Sequence, residues 1–198
     1  MYKRQLYGYA WNKVYRVQSL RESGVVFEKI TLIEDIKFNV SYFDSVCSMN
    51  VLNTTPYHYL KRIDGSLTNK FLPDYFTLNA ERVFLVLEQY KNWGMCTEEV
   101  RRILANIYVR YLFSALQRNC DKRSDMNHAQ RKEWLKQQYK TPLCKELLSA
   151  VQASGTLFKC MAKAFCAGNI PLCLMIARSI FAVKSAFPTV FSTLKQQR

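Results

Sequence analysis

The stretch from Trp11 to Thr68 reads WNKVYRVQSLRESGVVFEKITLIEDIKFNVSYFDSVCSMNVLNTTPYHYLKRIDGSLT, and its punctuation sets the expected fold of the front of the chain. Ile36, Val40, Phe43 and Cys47 recur at spacings of four, three and four. That is one face of a 3.6-residue period, so Ile33 to Cys47 is expected to form an amphipathic helix. Glu34 and Asp35 fall in or just before its first turn, where the helix dipole favours negative charge. Upstream, Tyr2 to Arg21 reads as helix or as helix plus turn. Glu22-Ser23-Gly24 is a break, and Val25-Val26-Phe27 a short β-like run. Downstream, Ser48 to Thr55 reads as turn and strand, stopped at Pro56 because proline cannot donate to a sheet ladder. Tyr57 to Lys61 alternates weakly and is expected as a last edge strand, followed by turn chemistry at Ile63-Asp64-Gly65-Ser66.

Beyond Pro73 the signals are helical. Phe76 to Trp93 places Phe76, Val83, Leu87 and Tyr90 on one face, with Gly94 suited to a C-terminal cap. Thr97 is a natural N-cap for a helix running to about Asn119, with Glu98 and Glu99 in its first turn. Ser124 is expected to open a polar helix through Gln138, and Thr141-Pro142 another, with proline at the first helical position. Short helices follow near 155–168, 170–186 and 188–196. The fold class expected from these elements is α+β and helix-dominated. The chain divides into a front portion, 1–74, and a basic helical extension, 75–198.

The formal charge of the 198 residues is +14, and it is uneven. Residues 1–74 hold 10 Lys/Arg against 7 Asp/Glu, and residues 75–198 hold 19 against 8. No acid follows Glu146. Such a tail suits contact with an anionic surface, either phosphate polymer or acidic lipid, although a solvated basic face has the same composition. Residues 156–191 are apolar but interrupted by Lys159, Lys163, Asn169, Pro171, Arg178 and Lys184, which disfavours a spanning helix. The same residues suit either a helix lying in the membrane interface or a helical pair packed on the rest of the protein. The 7 cysteines include no C-x-x-C pair, and there are only 2 histidines, which argues against a structural zinc site. With no apolar leader at MYKRQLYGYAWNK, free cysteines point to the cytoplasm. There is no G-x-G-x-x-G or P-loop cradle.

Three groupings carry candidate chemistry. The Glu34-Asp35 pair offers a carboxylate, held ionised at a helix start, that can take the proton of a hydroxyl attacking an electrophile. Acids in a first turn also serve simply as partners of the dipole. Tyr57, His58, Tyr59, Lys61 and Arg62, with Ser66 and Thr68, place cations and hydroxyls beside a Gly-containing turn, where they would clamp a diphosphate. The plainer reading is an edge strand with solvated basic ends. Trp11, Asn12 and Lys13, with Tyr15 and Arg16, suit the apolar face of a sugar ring, as they equally suit a packed core tryptophan.

WNKVYR, then VVFEKITLIEDIKFN, then PYHYLKRIDGSLT, taken in that order over about residues 8–75, resembles the second half of bacterial family 2 glycosyltransferases of the GT-A fold. The resemblance implies a remnant of that domain with two to four short strands. It implies Asp35 as catalytic base with Glu34 beside it, and Trp11, Asn12 and Lys13 at the acceptor. It also implies His58, Lys61 and Arg62 near the diphosphate. The activity implied is inverting transfer of a sugar from a nucleotide-sugar donor to a glycan or lipid-linked acceptor, with magnesium or manganese in the full-length enzyme. The family's N-terminal nucleotide-binding half ends in a D-x-D metal site, and this sequence contains no D-x-D. The chain is therefore expected to be a fragment, inactive alone, with no metal or other cofactor of its own. An open sheet edge is expected to invite pairing with another chain. The expected location is cytoplasmic, peripheral at the inner face of the membrane. The alternative is a basic helical module that binds nucleic acid or an anionic membrane surface.

Overall fold

The computed structural model describes residues 8–30, 32–52, 54, 57 and 71–187. Among these residues the regular elements are all helical. They are α1 (Val17–Ser23), α2 (Glu34–Phe43), α3 (Tyr75–Asn92), α4 (Glu98–Arg118), α5 (His128–Lys140), α6 (Pro142–Leu148), α7 (Thr156–Cys166) and α8 (Ile170–Ala186), with a 3-10 turn at Lys122–Ser124.

The α+β expectation is thereby overturned: no strand occurs among the described residues, and the fold there is all-α rather than a GT-A remnant with short strands. A strand needs a partner to satisfy its backbone, and the described parts of the two β-like runs, 25–27 and 48–52, form no ladder among the described residues. Val25–Phe27 stays irregular, and Phe27 instead lays its ring on Phe38, centroids 4.1 Å apart and planes 4° apart. Residues 48–52 are irregular and exposed. With no sheet among the described residues, the open edge expected to pair with another chain has no basis there. The expected strand at Tyr57–Lys61, Tyr57 apart, and the expected helix near 188–196 lie outside the described residues.

The chain forms two compact units, Met1–Lys70 with Phe84–Met95 and Phe71–Val83 with Cys96–Arg198; the division falls within α3. In the first unit, α2 buries Ile36, Phe38, Val40, Tyr42 and Phe43. It stops at Phe43, short of the expected Cys47. Ser45 bonds the Tyr42 carbonyl with both its amide (3.0 Å) and its hydroxyl (2.7 Å), an i−3 closure that ends the helix. The buried Gln89 reaches this end, donating to the Val40 carbonyl at 2.6 Å and to Asp44 at 2.8 Å. Trp93 Nε1 donates to the same carboxylate at 3.1 Å. The C-terminus of α3 closes in a Schellman motif: Gly94 at φ 67° bonds back to Lys91 and Met95 to Tyr90.

The second unit is built on α4, whose Leu104, Ala105, Tyr108, Val109, Leu112, Phe113 and Leu116 are buried. Helices α6, α7 and α8 pack on it, and α5 packs on α6 and α8. The caps follow the sequence reading: Thr97 accepts from the Val100 amide at 3.3 Å, and Thr141 from the Cys144 amide at 3.3 Å, ahead of Pro142. The polar helix begins later than expected, because Asn127 and Gln130 form a capping box while Ser124 closes the 3-10 turn by donating to Asn119 and Asp121. The tail helices supply core: Phe158, Met161, Phe165, Cys173, Leu174 and Ala177 are buried, and Tyr139 stacks on Phe165 with centroids 4.7 Å apart. Among the described residues no helix is long and apolar enough to cross a membrane.

Candidate functional site

The first unit brings the two sequence motifs of the described front segment together. Tyr15 is the anchor. Its ring stands edge-on to Phe38 (5.4 Å, 85°) and to Tyr42 (5.2 Å, 80°), and its hydroxyl donates to Asn39 Oδ1 at 2.7 Å. Tyr42 lies one turn from Phe38 (i+4) and from Asn39 (i+3) on α2, so Tyr15 meets neighbouring side chains of that helix. The chain from Trp11 to Tyr15 is thus tied to the helix that carries Glu34 and Asp35.

Lys13 follows a turn closed by its own amide on the Ala10 carbonyl at 3.2 Å. Its ammonium donates to the Tyr9 carbonyl at 2.5 Å and to Asn12 Oδ1 at 2.7 Å. Burial pulls the Lys13 pKa down from 10.5 to about 8, against the Asp35 carboxylate, which holds it up. Burial also pushes the Tyr15 phenol far above its ordinary range, with the Asp35 charge adding in the same direction. Asp35 therefore acts on both Lys13 and Tyr15. Glu34, its neighbour in the first turn, turns Oε2 into the protein, where no hydrogen bond meets it. The two carboxylates differ because consecutive helical residues point about 100° apart.

Trp11 is 38% exposed and sits in an aromatic stack, its ring centroid 5.0 Å from that of Tyr9 and 4.6 Å from that of Tyr57. Asn12 is exposed beside it. Sequence reasoning placed Trp11, Asn12, Lys13, Glu34 and Asp35 as site residues, and the structure gathers these in one unit. His58, Lys61 and Arg62 lie outside the described residues. The reading missed Asn39, a fully buried side chain whose Nδ2 has no hydrogen-bond partner. It also missed Tyr9 as a flank of the tryptophan. A polar residue on an otherwise apolar helix face was the available signal for Asn39, and Tyr9 lies two positions from Trp11.

Among the described residues no group of three or more His, Cys, Asp or Glu side chains comes together. These residues do not by themselves fit the magnesium or manganese that the resemblance implies, and the chemistry below is confined to side chains. No protein-family model, curated protein or solved structure matches the chain.

Proposed function

We propose that the first unit is the acceptor-side and catalytic-base portion of a glycosyltransferase that moves a sugar from a nucleotide-sugar to a glycan or lipid-linked acceptor. The observation that supports this most is the joint placement of Asp35 and Lys13, from motifs well separated in sequence, in mutual electrostatic reach. A base must be ionised when its substrate arrives, and a helix start together with an ammonium both favour the carboxylate.

In this reading the acceptor hydroxyl donates its proton to Asp35 as its oxygen forms a bond to the anomeric carbon. The bond from that carbon to the diphosphate breaks on the opposite face, so configuration inverts. The stack of Tyr9, Trp11 and Tyr57, all three exposed, offers aromatic surface for the acceptor ring. Asn12 and Lys13 border it with polar groups. His58, Lys61 and Arg62 are assigned to the departing diphosphate on the resemblance alone. The nucleotide and its metal need a portion carrying D-x-D, a motif absent from these 198 residues, so the chain alone is expected to be inactive.

Saturation-transfer NMR with a panel of mono- and oligosaccharides tests the reading. Transfer to ring C–H protons, lost in Trp11→Ala with the fold intact, is expected. Absence of transfer from every sugar of the panel would count against the acceptor assignment.

A further inference from the structure

The second unit holds a cavity of about 250 Å³ lined by Cys120, His128, Arg131, Lys132, Pro171, Leu174, Met175 and Arg178. It lies where α5, α8 and the residue two beyond α4 meet. α5 contributes His128, Arg131 and Lys132, and α8 contributes Pro171, Leu174 and Met175 together with Arg178. Among the described residues no acidic side chain lines the cavity.

Some other cations of this unit have acidic partners: Arg101 with Glu146 at 3.3 Å, Arg123 with Asp121 at 2.7 Å and Lys136 with Glu133 at 3.5 Å. Arg110 and Arg118 lie over the rings of Phe158 and Tyr75. A second cavity, of about 290 Å³, is lined by Arg102 together with Glu98 and Glu99. In the cationic cavity, Arg131 is held in place by the Met126 carbonyl, to which Nε and Nη2 donate at 3.1 and 2.6 Å. Its Nη1 lies 3.9 Å from Cys120 Sγ. Arg178 and Lys132 make no hydrogen bond or ion pair among the described residues. Three permanent cations around a concave space focus a positive potential into it, and guanidinium groups favour phosphate oxygens through paired N–H donors.

The apolar residues of α8 add a second requirement. Leu174 is buried, whereas Met175 is 60% exposed at the rim. An exposed methionine is a flexible apolar surface that adapts to a chain of methylenes. The volume lies just under the roughly 300 Å³ at which small-molecule pockets begin. It suits one phosphate group with a few carbons rather than a whole nucleotide.

We propose that this cavity is a binding site for a phosphate monoester carrying an aliphatic chain, with Arg178, Lys132 and Arg131 on the phosphate and Leu174, Met175 and Pro171 on the chain. The proposal concerns the second unit and stands apart from the sugar-transfer reading of the first. A lipid headgroup such as phosphatidic acid and a soluble alkyl phosphate share this chemistry.

Titration of the whole chain with hexyl phosphate and with inorganic phosphate, followed by calorimetry, is the test. Hexyl phosphate is expected to bind at least about tenfold more tightly than inorganic phosphate, as burial of several methylenes requires. The double variant Lys132→Gln/Arg178→Gln is expected to lose about tenfold or more in affinity for both. Both side chains are exposed, so circular dichroism should be unchanged. Met175→Ser should weaken hexyl phosphate and leave inorganic phosphate as it was. Competition by phosphatidylcholine vesicles containing phosphatidic acid identifies a lipid source, and hexyl phosphate binding without such competition identifies a soluble one. Equal affinity for the two probes, no binding of either, or binding unchanged in the double variant overturns the proposal.

Discussion

The Asp35 carboxylate, in the first turn of α2, acts on the Lys13 ammonium, and burial outweighs it, leaving Lys13 with a pKa of about 8. An ordinary lysine titrates near 10.4. The pair therefore has a signature that can be read on the isolated chain. Acylation of Lys13 should rise through a midpoint near pH 8, ahead of the other lysines. In Asp35→Asn the midpoint should fall further, because the lost negative charge favoured the ammonium. Mass-spectrometric mapping of the labelled peptide follows both. A Lys13 midpoint that Asp35→Asn leaves in place means that the two side chains are not neighbours.

The same shift has a consequence for stability. Lys13 binds its proton less tightly folded than unfolded. Between about pH 8 and the unfolded value of 10.5, the unfolded chain holds the proton that the folded chain has released. Stability contributed by this residue rises with pH across that window, and the cost of keeping it charged is fully present below it. The Tm of the chain relative to Lys13→Met should increase over this range. A flat or falling difference contradicts the burial of the ammonium.

In an enzyme completed by a donor-binding portion, Asp35→Asn should reduce kcat by about 10²-fold or more, as loss of a positioned base does. Glu34→Gln should be milder, because only one of two adjacent helical side chains can face the acceptor. Steady-state kinetics of the two variants decide between them, and the reverse ranking would transfer the role to Glu34.

The isolated chain should bind nucleotide-sugars no more tightly than millimolar. Its sequence holds neither D-x-D nor a glycine-rich phosphate loop. Calorimetry with uridine, guanosine and thymidine diphosphate sugars in the presence of manganese is the measurement. A micromolar dissociation constant is the outcome that removes the fragment reading.

Phe165→Ala should destabilise the second unit by about 3–5 kcal/mol, the usual cost of emptying a buried aromatic site. Phe165 is 1% exposed, and its backbone carbonyl accepts from the Tyr139 hydroxyl at 2.7 Å. Denaturant unfolding measures it. A loss under about 1 kcal/mol would mean that α7 is peripheral rather than core.

The sequence by itself determined most of the helices after Pro73 and several of their caps. Thr97, Thr141-Pro142 and Gly94 act through hydrogen bonds to amides and carbonyls a few residues away, so the cap and its partner lie within one reading window. The placement of Glu34 and Asp35 in a first turn was legible for the same reason. Strands were not, because β-propensity becomes structure only against a distant partner. Val25–Phe27 found an aromatic ring instead of a strand. Only the tertiary structure brought Lys13 to Asp35, through the seat of Tyr15 on Phe38, Asn39 and Tyr42. It alone set Arg178 opposite Arg131 and Lys132 around one cavity. The length of α2 was also decided there, since Ser45, Asp44 and Gln89 close a helix whose apolar period continues to Cys47. Periodicity fixes which face a helix will bury. What meets that face, and where the helix stops, depend on side chains that the fold brings from elsewhere in the chain.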